Sequence, residues 1–194
     1  MLTVNTLARM TAVVAVLLSF LATGGARASA LPGGDLPGEL VFGGMPRTYQ
    51  LHVPAGLDRP AGLVINLHGA GQTGGEQAAV TNYNAIADQH GFVVAYPDGI
   101  DFSWADGRGA SVPDRQGVDD VGFLATLIDQ LSRDYNVPRG RVFVTGMSAG
   151  AFMATRVACE RADLTLISGL VPVRRGRAPR PSMPAGSAKK SGRS

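Results

Sequence analysis

The stretch 141–150 reads RVFVTGMSAG, and its reading decides the fold. Residues 141–145 (RVFVT) form a short apolar run ahead of a glycine. Ser148 then sits between Gly146-Met147 and Ala149-Gly150, and a helical pattern runs on from Ser148 to Arg161. The pattern G-x-S-x-G between a strand and a helix is that of a sharp turn that lifts one serine above the edge of a sheet. Such a turn holds the serine in strained backbone geometry, and side chains at the flanking glycines would collide with the neighbouring strand and helix. The turn also sets Ser148 at a helix N-terminus, where the N–H of Ala149 can face a developing oxyanion. The competing reading is a chance Gly-Ser loop.

Two further apolar runs resemble 141–145. They are 62–67 (GLVINL) and 92–96 (FVVAY), and continuous runs of this kind suit strands covered on both faces. Helical patterns separate them. Gln77 to His90 is one, with Ala78, Ile86 and Ala87 expected inward. Asp119 to Tyr135 is clearer, because Leu124, Leu127, Ile128, Leu131 and Tyr135 recur every three or four residues. Asp119 or Asp120 can cap its first turn. Ahead of these units, Glu39 to Gly44 and Arg47 to Val53 read as strands, the second alternating Tyr49, Leu51 and Val53 with Thr48, Gln50 and His52. Strand, strand, then strand–helix three times predicts a doubly wound α/β sheet, mostly parallel, with an antiparallel N-terminal edge.

The ends differ in character. Residues 1–30 read as a signal peptide: Arg9, then the apolar run Met10 to Leu21, then small residues with cleavage frames after Ala28 or Ala30. The apolar run is shorter than the ~18–20 residues of a bilayer span, so no stable membrane anchor is expected after cleavage. Residues 31–38 read as a Pro/Gly-rich arm. Residues 173–194 combine Pro, Gly, Ser and Ala with seven Arg and Lys, without an acid or an aromatic, and are expected to be disordered. Nine of the 18 basic residues lie in these two ends, which leaves nine against 15 acidic residues between them. The formal charge of +3 therefore belongs to the tail, and no nucleic-acid-binding surface is expected on the domain. Cys159 is the only cysteine, so no internal disulfide can form, and a core position is expected for it.

Three other places carry candidate chemistry. His68-Gly69-Ala70-Gly71 directly follows the run 62–67, where a second oxyanion donor belongs, with the N–H of Ala70 as that donor. His68 is expected to bond the loop backbone rather than to act as a base. Trp104 either lines a substrate pocket or packs. Asp119 and Asp120 read as helix caps before acid/base groups. No metal-ligand spacing and no phosphate loop stands out, so neither metal nor cofactor is expected.

The ordered series LHGAGQ (67–72), AYPDG (95–99), SW (103–104), VDDVGFL (118–124) and GMSAGAFMA (146–154) resembles the secreted polyhydroxybutyrate depolymerase and feruloyl esterase family. The resemblance covers residues 40 to 163 and implies a secreted α/β-hydrolase that cleaves carboxylic esters, of a polyester or of short acyl or hydroxycinnamoyl groups, through an acyl-enzyme. It implies Ser148 as nucleophile, with Ala70 and Ala149 as oxyanion donors and His68, Gly69 and Gly71 as their supporting loop. The family often carries cysteine in place of Ala70, a change that leaves the backbone donor intact. After Leu164 the wording departs from the family. His52, His68 and His90 all precede Ser148, whereas the fold's order is serine, acid, histidine. The expectation is a domain over 39–172 that is incomplete at its C-terminus, a truncated or frame-shifted product. A catalytically dead fragment is the alternative to an active esterase.

Overall fold

The computed structural model describes residues 33–164 and 167–169. The expected signal peptide, 1–30, and the basic tail, 173–194, lie outside them. β1 (Gly34–Phe42) and β2 (Met45–Val53) form an antiparallel hairpin. Its two-residue turn is Gly43-Gly44, both with positive φ (60° and 80°), the backbone that primed hairpin turns require. The expected arm, 31–38, is thus mostly strand. β1 is an edge strand, so Pro37 is tolerated within it.

β3 (Leu63–Leu67), β4 (Val93–Pro97) and β5 (Val142–Gly146) are the three continuous apolar runs. With β6 (Ile167–Gly169) they complete a six-stranded sheet in the order β1-β2-β4-β3-β5-β6. β3 pairs in parallel with β4 and β5, β5 pairs in parallel with β6, and β2 runs antiparallel to β4. The doubly wound, mostly parallel sheet with an antiparallel N-terminal edge is therefore present. Residues 167–169, beyond Leu164 where the resemblance is expected to end, lie beside β5 as its next parallel neighbour.

Both faces are covered, which explains why these strands do not alternate in hydropathy. Leu63, Ile65, Leu67, Val93, Ala95, Val142 and Val144 pack on one side with α4 (Asp120–Asp134) and α5 (Ala149–Glu160). Val64, Val94 and Tyr96 face the other side with Ala87. On α4 the residues Leu124, Leu127, Ile128 and Leu131 are all buried, each worth about 1.5–3 kcal/mol of apolar burial.

The pattern expected as one helix, 77–90, is two: α1 (Gly74–Val80) and α2 (Tyr83–His90). Thr73 and Glu76 form a capping box that starts α1 three residues earlier. Thr81 then turns extended, and its hydroxyl donates back to the Gln77 carbonyl. The break resets the helical phase, so Ala87 is buried while Ile86 is exposed. α3 (Val112–Gln116) is a short helix capped by Ser111.

Candidate active site

β5 ends at Gly146 and α5 begins at Ala149, so Ser148 occupies the bend between them. Its backbone has φ 50° and ψ −115°, a region that L-residues avoid. The residue is exposed, and among the described residues its hydroxyl neither caps α5 nor bonds another group. The glycines around it have steric reasons. A Cβ on Gly146 would lie 2.5 Å from the Gly150 carbonyl carbon and 2.8 Å from the Leu67 oxygen. A Cβ on Gly150 would run into the carbonyl oxygens of Leu67 and His68. The same close approach brings the bend against the end of β3: the Met147 N–H donates to the Leu67 carbonyl at 3.0 Å.

Residues 68–71 therefore lie beside the Ser148 bend. His68 is wholly buried. Its Nε2 accepts the Gly99 N–H at 2.9 Å, so Nδ1 carries the proton and donates to the Gly69 carbonyl at 2.7 Å. Burial holds its pKa below the ordinary 6.5, which keeps the ring neutral. Both ring nitrogens are engaged in holding the loop. Gly71, with φ 76°, donates its N–H to the Phe102 carbonyl at 2.8 Å, and the Gly69 N–H donates to Gln72 Oε1 at 3.0 Å. Between them the Ala70 N–H has no acceptor among the described residues, and neither has the Ala149 N–H at the head of α5. The Ala149 N–H directly follows the exposed serine and the Ala70 N–H belongs to the loop beside its bend, and unspent amides of this kind can stabilise a negative oxygen.

Trp104 does not line a pocket. It is fully buried, its indole N–H donates to the His68 carbonyl at 2.9 Å, and its ring lies on the His68 ring. Indole placed there satisfies a buried carbonyl, which leaves no face for a substrate. Cys159 is exposed rather than in the core, because it falls on the outer side of α5. Asp119 caps α4 by accepting the Gly122 N–H, while Asp120 is wholly buried and paired with Arg47 at 2.7 Å. That ion pair was not foreseen, although Arg47 continues the inward row of Tyr49, Leu51 and Val53, and a charge in such a row needs a buried partner. The remaining histidines are engaged or remote: His52 bonds Asp35 and Asp88, and His90 ends α2. No cluster of metal-ligating residues occurs among the described residues, and no helix there is long and apolar enough to cross a membrane. A cleft of about 380 Å³ lies at Gln72, Thr73, Asp98, Gly99 and Phe102.

Residues 47–176 match the family described as Esterase PHB depolymerase. The chain belongs to that family. The match continues past Leu164, so the family pattern extends beyond the limit set from wording alone, in keeping with β6. The poly(3-hydroxyalkanoate) depolymerase C of Paucimonas lemoignei is 31% identical over 144 residues, 70% of this chain and 33% of that protein. The acetylxylan esterase of Coprinopsis cinerea is 32% identical over 146 residues, 72% of this chain and 39% of that protein. Among solved structures, an acetyl xylan esterase from Aspergillus awamori superimposes with a TM-score of 0.53 at 24% identity, over 63% of this chain and 45% of that one. That likeness establishes the α/β-hydrolase fold for this Esterase PHB depolymerase family chain. The chain spans well under two thirds of the length of each of these relatives.

Proposed function

We propose that this chain carries the nucleophile and oxyanion hole of a secreted carboxylic-ester hydrolase. The observation that carries the reading is the pair of unbonded amides, Ala70 and Ala149, beside the strained and exposed Ser148. In the proposed reaction Ser148 Oγ attacks the ester carbonyl and loses its proton to a general base. The carbonyl oxygen becomes an oxyanion held by the two N–H groups. The alkoxy group leaves with a proton, and water then releases the acid from the acyl-Ser148 ester. His68 supports the loop in this scheme; it is not the base, because both of its nitrogens are taken. The relatives named for polyhydroxyalkanoate and acetylxylan support a polyester or a short acyl ester as substrate, and a relative named feruloyl esterase B supports hydroxycinnamoyl esters as a third class.

A second reading, a chain without turnover, is favoured by one specific observation. Among the described residues, His52 and His68 are each bonded through both ring nitrogens, so neither is free to take the Ser148 proton. Hydrolysis of p-nitrophenyl acetate and butyrate, with Ser148→Ala as control, separates the two. Wild-type turnover above that of Ser148→Ala supports the hydrolase; equal rates remove catalysis. Secretion is tested by sequencing the exported N-terminus, which should begin at Ser29 or Leu31.

A further inference from the structure

Asp120 and Arg47 form a buried ion pair whose position is hard to explain by stability alone. Arg47 is 4% exposed and Asp120 0%. A buried pair of this kind is weak as a source of net stability, because desolvation offsets the attraction. Each partner, however, also holds one end of the same loop. Arg47 donates to the Asp98 carbonyl at 3.2 Å, where the loop leaves β4. Asp120 Oδ2 accepts the Ala105 N–H at 2.8 Å, where the loop ends. The Ala105 carbonyl in turn accepts from Arg156 of α5 at 2.7 Å, the helix that Ser148 precedes.

Between those two pins the loop makes three hydrogen bonds to the oxyanion segment. The Gly99 N–H goes to His68 Nε2, the Gly71 N–H goes to the Phe102 carbonyl, and the Trp104 indole N–H goes to the His68 carbonyl. Asp101 and Phe102 both have positive φ (51° and 53°). Neither is glycine, so this backbone persists only if its ends are held. The strained turn is what aims the Phe102 carbonyl at Gly71, the residue after Ala70.

We infer that Asp120, clasped to Arg47, is a positioning residue: through loop 98–105 it sets where the Ala70 amide points. The inference rests on the reading of Ala70 as an oxyanion donor. Asp120 touches neither substrate nor Ser148; it acts by fixing a donor whose misplacement by a fraction of an ångström weakens transition-state stabilisation.

The test is amide hydrogen exchange of the full chain, followed by NMR, with ester turnover measured in parallel. Asp120→Asn should leave the strand amides of β3 and β5 protected. It should make Gly71, Gly99 and the Trp104 indole N–H exchange at least about tenfold faster. Turnover of p-nitrophenyl acetate should fall by about 10- to 100-fold in kcat, with KM within about twofold, and Asp120→Glu should restore part of it. Arg47→Lys, which keeps the charge, is the second variant should Asp120→Asn fail to fold, and it should show the same local loss. A folded variant with unchanged exchange at Gly71 and Gly99 would overturn the inference. So would loss of protection throughout β3 and β5 in both variants, or an unchanged kcat in an active protein. If wild type and Ser148→Ala turn over equally, the hydrolase reading fails, and the exchange result alone still decides whether the pair holds the segment.

Discussion

The Trp104 indole N–H donates to the main-chain carbonyl of His68 at 2.9 Å, and the two rings lie 4.8 Å apart between centroids. One side chain thus satisfies a buried carbonyl of the segment that holds Ala70 and covers the imidazole that braces it. Phenylalanine would keep most of the ring and lose the donor. Trp104→Phe should therefore cost about 1–3 kcal/mol, the penalty of a stranded buried carbonyl, whereas Trp104→Ala should cost about 3–5 kcal/mol through the cavity as well. Urea unfolding followed by far-UV circular dichroism measures both, since Trp104 is the only tryptophan and the variants lose its emission.

His68 gives the domain an acid sensitivity with a defined sign. Burial lowers its pKa from 6.5 in the folded chain. The unfolded chain takes up a proton near 6.5 that the folded chain refuses, so protonation favours unfolding. The stabilising contribution of the neutral ring is complete above that value and is lost as pH falls from there through the lowered folded value. Unfolding free energies at about pH 7.5 and about pH 5.5 should differ more in wild type than in His68→Gln, which has no proton to take up. An equal difference in both proteins would mean that other groups carry the effect.

The sheet, the Ser148 bend and the His68 loop were legible because each rests on a local demand written in residue types. Leu63–Leu67, Val93–Pro97 and Val142–Gly146 lack alternation because both faces are covered. Gly146 and Gly150 are there because carbonyls of β3 and of the following helix occupy the space a Cβ would need. Two signals were present and unread: the Gly43-Gly44 turn, which starts β2 at Met45, and the Thr73/Glu76 capping box, which begins α1 at Gly74. The Arg47–Asp120 clasp is different in kind. The partners are far apart in sequence and meet only because β2 pairs with β4 and α4 packs beneath, so periodicity marks Arg47 as anomalous but cannot name its partner. Trp104, left open between pocket and packing, and Cys159, expected in the core, have a related cause. Burial at the end of a loop or on the last turn of a helix depends on neighbours that no local pattern specifies.

Glycines that look alike in the sequence should respond in opposite ways to alanine. At Gly150 the added methyl would strike the Leu67 and His68 carbonyl oxygens, which are backbone and cannot swing aside. Gly150→Ala should therefore cost about 3 kcal/mol or more and displace the Ser148 bend. At Gly75, in the first turn of α1, the nearest atom is Thr73 Oγ1 at 4.0 Å, and φ is not in the left-handed region. Gly75→Ala should stabilise the chain by about 0.5–1 kcal/mol, because alanine loses less entropy on entering a helix. Thermal midpoints of the two variants against wild type check both signs.

Ser148 itself should be a place where the fold is less stable than it could be. Its φ of 50° with ψ of −115° costs a non-glycine residue about 1–3 kcal/mol, and its hydroxyl has no partner among the described residues to offset that. Glycine removes the Cβ conflict at the cost of extra entropy in the unfolded chain, so Ser148→Gly should be more stable than wild type by about 1 kcal/mol. Alanine keeps the Cβ and removes only the hydroxyl, so Ser148→Ala should unfold within about 0.5 kcal/mol of wild type. Neither variant can form an acyl-serine. If the serine is held strained so that its oxygen stands clear of the sheet beside two free amides, stability and the nucleophile trade against each other at this one residue. Urea midpoints for Ser148→Gly, Ser148→Ala and wild type decide it: a glycine variant no more stable than the alanine variant would mean that the backbone at 148 carries no strain.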